Sequence, residues 1–100
     1  MSRATMTEEE AGAAAPEGWT AADNQLQATF ATGSFLKGVE LINAIAPLAE
    51  QANHHPDVEL GYPSVIVRLT THDAGGLTQL DVDLAGEISS VAAQLTIEVD

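Results

Sequence analysis

Three histidines in two short segments are the residues of this chain best suited to chemistry. His54 and His55 are adjacent and precede Pro56 in a predicted loop, and His72 ends a predicted strand. Loops and strand ends commonly hold functional side chains on a rigid scaffold. Because imidazole exchanges a proton near neutral pH, it is the side chain most readily used as a general acid or base. The histidines therefore indicate acid–base chemistry.

Two carboxylates are placed to support these histidines. Glu50 lies one helical turn before His54, so it can orient that ring. Asp81 lies in the first turn of the last predicted helix. Each residue also has a simpler interpretation: Glu50 as a solvated helix position, Asp81 as the acidic member of a capping box that begins at Thr78, and His54 as a cap on a helix C-terminus.

A zinc site is the main alternative, since three histidines can hold catalytic zinc. Adjacent histidines in an extended segment point in different directions, however, so His54 and His55 rarely reach one metal. The chain has no cysteine and no H-x-x-x-H spacing, and we expect no metal. Without cysteine there is no thiol nucleophile, and no G-x-S-x-G elbow is present.

Composition excludes several classes of function. The net charge is −12, from three basic and fifteen acidic residues, which disfavours direct binding to nucleic acid or to an anionic membrane. No apolar run reaches the roughly 18 residues of a membrane span. The first residues lack the pattern of a secretory signal, so the cytoplasm is the expected location. One hundred residues indicate a single domain whose site is shallow or completed by a second copy.

The elements that must position the site begin with a weak helix and two strands. Residues 1–16 are predicted to form a flexible tail or one short helix. Trp19 begins a short strand and is more typical of a core residue than of a ligand platform. Asp23–Asn24 supply turn chemistry. Apolar and polar residues then alternate over 26–30, which indicates a strand with one buried face.

A long helix, a strand and a last helix follow. Apolar residues at helical spacing predict a helix over 35–52, in which Pro47 should cause a kink or a broken turn because it lacks an N–H group. Alternation predicts a strand over 64–71. The capping box begins the last helix, and residues 96–100 either pair as an edge strand or hang free.

This order of elements predicts an α+β fold, with helices packed on one face of an antiparallel sheet. The sheet edges would be open, and pairing between subunits is a common way to cover such edges. We therefore expect a homo-oligomer on structural grounds.

The spacing of these residues closely resembles the signature of the pterin-4a-carbinolamine dehydratase family. Glu50 is followed after three residues by His54-His55-Pro56, after five more by Tyr62, after nine more by His72 and after eight more by Asp81. The surrounding NHHPDVELGYPSVIVRLTTHDAGGLT and the segment 81–85 agree with it. The resemblance covers about residues 17–95.

The resemblance implies a four-stranded antiparallel sheet in a single domain over 17–100, assembled as a homodimer or homotetramer. It implies dehydration of a 4a-hydroxytetrahydropterin to the quinonoid dihydropterin without a metal or organic cofactor. This reaction would recycle the pterin of aromatic amino acid hydroxylation. A non-catalytic dimerisation or assembly factor, with a protein partner, is the alternative on the same fold. Retention of all three histidines favours chemistry.

The resemblance also implies roles for individual residues. The implied catalytic residues are His54, His55 and His72, without assignment of acid and base. These three would bind the pterin together with Pro56, Thr71, Asp73 and Ala74, of which the last three would contribute backbone contacts. The implied supporting residues are Glu50, Asp81 and Trp19. Three features depart from the family pattern: Leu80, where many relatives carry a basic residue, an alanine-rich first helix where the family usually has leucines, and Pro47.

Overall fold

An antiparallel sheet, four strands wide, carries helices on one face in the computed structural model, which describes residues 4–100. The strands are β1 (Thr20–Ala22), β2 (Gln25–Ala31), β3 (Asp57–Leu60), β4 (Ser64–Leu69) and β5 (Glu98–Val99). The helices are α1 (Glu8–Ala14), α2 (Phe35–Ala52) and α3 (Gln79–Gln94), and a short 3₁₀ turn spans His72–Ala74. The α+β fold predicted from the sequence is confirmed.

The centre of the sheet is the antiparallel pair of β2 and β4. The sheet order is β1-β2-β4-β3, and β5 pairs with the end of β2 that β1 leaves free. Three apolar pairs lie directly opposite each other and are buried: Leu26 with Leu69, Ala28 with Val67, and Phe30 with Val65. Side chains on alternate positions of a strand share one face, so the alternation read from the sequence places all six in the core.

Helix α2 keeps the predicted bounds, and of the kink or broken turn expected at Pro47 the broken turn does not occur. The helix begins after Ser34, whose Oγ atom accepts a hydrogen bond from the Lys37 amide, and it continues to Ala52. Pro47 is exposed, while Ile45 and Ala49 on either side of it are buried. Because the packed face continues across the proline, the loss of one hydrogen bond on the solvent side does not end the helix.

Three segments differ from the simplest sequence interpretation. Strand β3 was not predicted: three of its four residues are exposed, so it has no apolar alternation. Residues 98–99 pair with β2, which selects the edge-strand alternative for the tail. Residues 8–14 form the short helix, with Ala11 fully buried and the Met6 amide 2.7 Å from the Leu77 carbonyl oxygen. Residues 1–3 of the predicted tail lie outside the described residues.

Strand β4 ends at Leu69, two residues before the predicted end at Thr71. Thr71 forms an isolated bridge with Gly76 and so closes the turn that carries His72. Within residues 4–100, none of the helices has the length and apolar character needed to cross a bilayer.

Candidate active site

The end of α2 directs the His54 side chain into the protein interior. Asn53 has a left-handed backbone with φ of 50°, which stops the helix, and the His54 amide donates to the Ala49 carbonyl oxygen at 3.1 Å. The His54 side chain is only 9% exposed, and its Nε2 atom lies 2.6 Å from Oδ1 of Asp81. A carboxylate accepts hydrogen bonds, so Nε2 carries the hydrogen in this pair, and Nδ1 makes no hydrogen bond within residues 4–100.

Asp81 is fully buried at the start of α3, and both of its oxygens are used. While Oδ1 faces His54, Oδ2 accepts from the Thr78 amide at 2.9 Å and from the Thr71 hydroxyl at 2.8 Å. A buried carboxylate is costly unless hydrogen-bonded, and these three donors offset that cost. The capping box predicted for Thr78 and Asp81 is confirmed, and the same carboxylate also holds His54.

The two threonine hydroxyls form a directed chain. Thr71 and Thr78 are both 1% exposed, and their Oγ1 atoms are 2.8 Å apart. The single hydroxyl hydrogen of Thr71 goes to Asp81, so Thr78 donates to Thr71. The Thr71 amide and carbonyl also hydrogen-bond within the following turn. Every polar group of Thr71 is therefore engaged inside the protein, and its hydroxyl supports Asp81.

His55 forms a second, exposed pair. Its Nε2 atom lies 2.5 Å from Oε2 of Glu50, and the two side chains are 57% and 76% exposed. Glu50 thus contacts His55 and not His54, contrary to the orientation expected from helical spacing. The helix ends between Glu50 and the histidines, so the i, i+4 geometry of a continuous helix does not apply to His54.

His72 begins the 3₁₀ turn that follows Thr71, and its side chain is exposed. Among residues 4–100, the His72 ring has no hydrogen-bond partner. The Thr71 hydroxyl joins this turn to Asp81, and Asp81 in turn holds His54. Asp73 is exposed and Ala74 is half-buried on the same turn. The structure therefore links the His54 and His72 segments through one buried carboxylate.

A groove of about 340 Å³ lies between α2 and the segment that leads into β3. Ile42, Ala46 and Val58 contribute apolar side chains to its wall, and Glu50, His55 and Pro56 also line it. An apolar groove with a few polar groups is typical of a small-molecule site. Glu50, His55 and Pro56 were all site candidates from the sequence, and they line this groove together. His54 and His72 do not line it.

Trp19 lies in the hydrophobic core and not beside the histidines. It is 5% exposed, its Nε1 atom donates to Oγ of Ser89 on α3 at 2.7 Å, and its ring packs edge-to-face with Phe30 at 6.0 Å. These contacts anchor the chain before β1 to α3, as expected for a core tryptophan. Leu80 is half-buried beside Asp81.

Sequence reasoning missed two features of this site. The first is the pair of hydrogen-bonded hydroxyls of Thr71 and Thr78, which joins two segments. The sequence pattern indicated the capping box at Thr78 but not the contact with Thr71. Asn24, whose amide reaches Gly75 next to the His72 turn at 3.1 Å, had a turn signal but no signal for that contact. Within the described part of the chain, no three His, Asp or Glu side chains are grouped so that they could hold a metal ion.

Comparison with known proteins identifies the family. The family model described as pterin 4 alpha carbinolamine dehydratase matches residues 3–91. Proteins provisionally named pterin-4-alpha-carbinolamine dehydratase are similar to this chain. One from Picosynechococcus sp. is 50% identical over 68% of this chain and 74% of its own length, and one from Nostoc punctiforme is 42% identical over 87% and 94%.

A solved structure agrees with the sequence comparisons. A Brucella melitensis protein described as a transcriptional coactivator/pterin dehydratase superposes with a TM-score of 0.80 at 30% identity, covering 89% of this chain and 99% of that one. The family match extends from before α1 to within α3 and so contains all three histidines and Asp81. On these grounds the chain belongs to the pterin-4-alpha-carbinolamine dehydratase family.

Proposed function

We propose that this protein is a hydro-lyase that converts a 4a-hydroxytetrahydropterin to the quinonoid dihydropterin and water. The names of the relatives support a pterin carbinolamine dehydratase activity. The observation that carries the proposal is the buried contact of 2.6 Å between His54 Nε2 and Asp81 Oδ1, since it leaves a ring nitrogen of defined orientation for chemistry.

The reaction requires one proton to be delivered and one to be removed. The bond between C4a and its hydroxyl oxygen breaks, and protonation of that oxygen by a general acid lets it leave as water. A general base takes the proton from the neighbouring ring nitrogen, and the C4a–N5 double bond forms. Histidines on both sides of that edge can supply both groups and return to their starting state after exchange with water.

We assign the acid–base roles to His54, His55 and His72. Asp81 positions His54 from inside the protein, and Glu50 positions His55 at the surface. The same three histidines would contact the pterin together with Pro56, and Thr71, Asp73 and Ala74 would contribute backbone contacts. The Thr71 hydroxyl also supports Asp81. Trp19 contributes through the core and not through the substrate. Proton transfer by positioned side chains typically accounts for a 10²- to 10⁴-fold acceleration.

We place this activity in residues 17–100, with residues 1–16 as an attached segment, and in a homodimer or homotetramer. Strand β3 supports the oligomer, because within residues 4–100 it pairs only with β4 and its other edge is free. The physiological role that follows is the recycling of the pterin used in aromatic amino acid hydroxylation, with the cytoplasm as its predicted location.

The test is the dehydration of a freshly generated 4a-hydroxytetrahydropterin, followed by absorbance. The wild type should accelerate the reaction above its spontaneous rate, and the His54→Ala, His72→Ala double variant should lose that acceleration. Glu87→Gln on the exposed side of α3 is the matched control and should keep the wild-type rate. Equal rates for the wild type and for buffer alone would reject the proposal.

A second candidate function is a dimerisation or assembly factor with a protein partner. It is favoured by the exposed apolar residues Phe35, Leu36 and Tyr62, which are 51%, 81% and 71% exposed. The Brucella melitensis neighbour is also described as a transcriptional coactivator. Large exposed apolar groups near one another mark interaction surfaces. A chain without dehydratase activity that still forms a stable complex through these residues would support this alternative.

A further inference from the structure

We infer that Asn24 is a positioning residue for the turn that carries His72. The effect of Asn24 on catalysis rests on the proposed function, whereas its effect on the turn does not. Asn24 lies at the β1–β2 hairpin, 51 positions before the carbonyl that its side chain reaches. None of the roles assigned above involves it.

The position of the His72 ring depends on the turn that carries it, because within residues 4–100 no hydrogen bond holds the ring itself. The Thr71 carbonyl oxygen accepts from the amides of Ala74 and Gly75, each at 3.1 Å, so the turn is closed by its own backbone. Gly75 takes a left-handed conformation with φ of 77°. The His72 ring is exposed and unbonded among the described residues, so its position follows that of the turn.

Asn24 supports the His72 turn through two hydrogen bonds and through the position of its side chain next to Gly76. Its Nδ2 atom donates to the Gly75 carbonyl oxygen at 3.1 Å, and its own carbonyl oxygen accepts from the Thr70 hydroxyl at 2.8 Å. A Cβ atom built on Gly76 would lie 3.3 Å from Oδ1 of Asn24, so the Asn24 side chain occupies the space beside that glycine. Within residues 4–100, no other side chain from outside the turn hydrogen-bonds to residues 72–76.

Asn24 is itself held rigidly. It has a left-handed backbone with φ of 63°, which asparagine adopts more readily than most residues. The neighbouring residues Ala22 and Gln25 pair across the hairpin, and the Asn24 amide donates to Oε2 of Glu8 at 2.9 Å. The first turn of α1, the hairpin and the His72 turn are therefore connected through this single residue.

The first experiment measures amide hydrogen exchange in Asn24→Gly. Glycine accepts the left-handed backbone and keeps the amide and carbonyl contacts, so the substitution removes only the side-chain contacts with Gly75 and Gly76. We expect the amides of Gly75 and Gly76 to exchange about two- to tenfold faster, the range given by the loss of one hydrogen bond. Asp23→Gly is the matched control, because Asp23 also has a positive φ, of 52°. Its side chain makes no hydrogen bond within residues 4–100, so exchange at the turn should not change.

The second experiment is a double-mutant cycle on dehydration. Asn24→Gly should lower kcat/KM about two- to tenfold in the wild-type background. The same substitution should have no further effect in His72→Ala, because a residue that acts through His72 cannot act without it. If Asn24 had a purely structural role, Asn24→Gly would lower kcat/KM by the same factor in both backgrounds.

The outcomes separate the two proposals. Unchanged exchange at Gly75 and Gly76 in Asn24→Gly overturns the inference, whatever reaction the chain catalyses. If exchange becomes faster but Asn24→Gly lowers kcat/KM by the same factor in the wild type and in His72→Ala, Asn24 holds the turn but does not act through His72. If the wild type does not accelerate dehydration, the proposed function fails, and the exchange measurement still decides whether Asn24 holds the turn.

Discussion

Oδ1 of Asp81 lies 2.6 Å from Nε2 of His54, while Oδ2 of the same carboxylate accepts from the Thr78 amide that begins α3. One side chain therefore caps a helix and orients a candidate catalytic imidazole. The sequence offered these two roles for Asp81 as alternatives, and the structure combines them. Because the cap fixes the carboxylate before any substrate arrives, the His54 ring is preorganised by a local feature of α3.

Removing the Oδ1 acceptor should affect both stability and the His54 tautomer. Asp81→Asn leaves His54 beside an amide, and we expect the free energy of unfolding to fall by about 1–3 kcal/mol, with a roughly ten- to hundredfold loss of dehydration rate. Nitrogen-15 NMR should show the Nε2–H tautomer in the wild type and its loss in the variant. Asp83→Asn is the control, since Asp83 is exposed on the same helix. An unchanged tautomer in Asp81→Asn would contradict the assigned role.

The hydroxyl group of Thr71 should contribute more to stability than the volume of its side chain does. Thr71→Val keeps the shape but removes one of the three donors to Asp81 and the acceptor for the Thr78 hydroxyl hydrogen, so the free energy of unfolding should fall by about 1–3 kcal/mol. Thr71→Ser restores the hydroxyl and should recover most of that loss. Thr29→Val, at a half-buried β2 position without a side-chain hydrogen bond in residues 4–100, should change stability by less than about 0.5 kcal/mol. Urea titration measures all three, and equal losses in the Val and Ser variants would argue against the hydroxyl chain.

The exposed pair of Glu50 and His55 should contribute to activity and little to stability. Both side chains are more than half exposed, and such pairs are worth about 0–1 kcal/mol. Glu50→Gln should therefore leave the urea midpoint nearly unchanged and lower the dehydration rate severalfold. Glu40→Gln removes another exposed carboxylate, which pairs with Lys37 on the same helix, and should leave the rate unchanged. Loss of more than about 2 kcal/mol of stability in Glu50→Gln would show that the pair is not a surface contact.

Helix α1 should loosen as the pH falls. The backbone and hydroxyl of Thr7 hydrogen-bond the Glu10 carboxylate and hold its pKa below the ordinary value. The stabilising contribution is complete above the pKa of glutamate in an unfolded chain, about 4.3, and is lost as the pH falls through the lower pKa of the folded state. Amide exchange in α1 should accelerate over that range in the wild type, and Glu10→Gln should remove this dependence. Glu9→Gln, which removes an exposed carboxylate without a hydrogen bond in the described residues, should retain it.

Much of the fold followed from local patterns. Alternation in β2 and β4, helical spacing in α2 and the capping box of α3 each involve residues close in sequence, and all three are present. The fixed spacing of the histidines was sufficient to indicate the family. Strand β3 was not predicted because its exposed residues carry no apolar period, and α2 continues through Pro47 because packing outweighs one lost hydrogen bond.

The pairing within the site depended on contacts that no local pattern contains. His54 and Asp81 are 27 positions apart, and Asn24 and Gly75 are 51 positions apart. Helical spacing predicted that Glu50 contacts His54. The left-handed turn at Asn53 instead directs His54 inward to Asp81, and Glu50 contacts His55. Residue types and spacing thus determined which groups are available for chemistry. The packing of α2, α3 and the sheet decided which histidine is buried against which carboxylate, because burial and hydrogen-bond partners are properties of the assembled core.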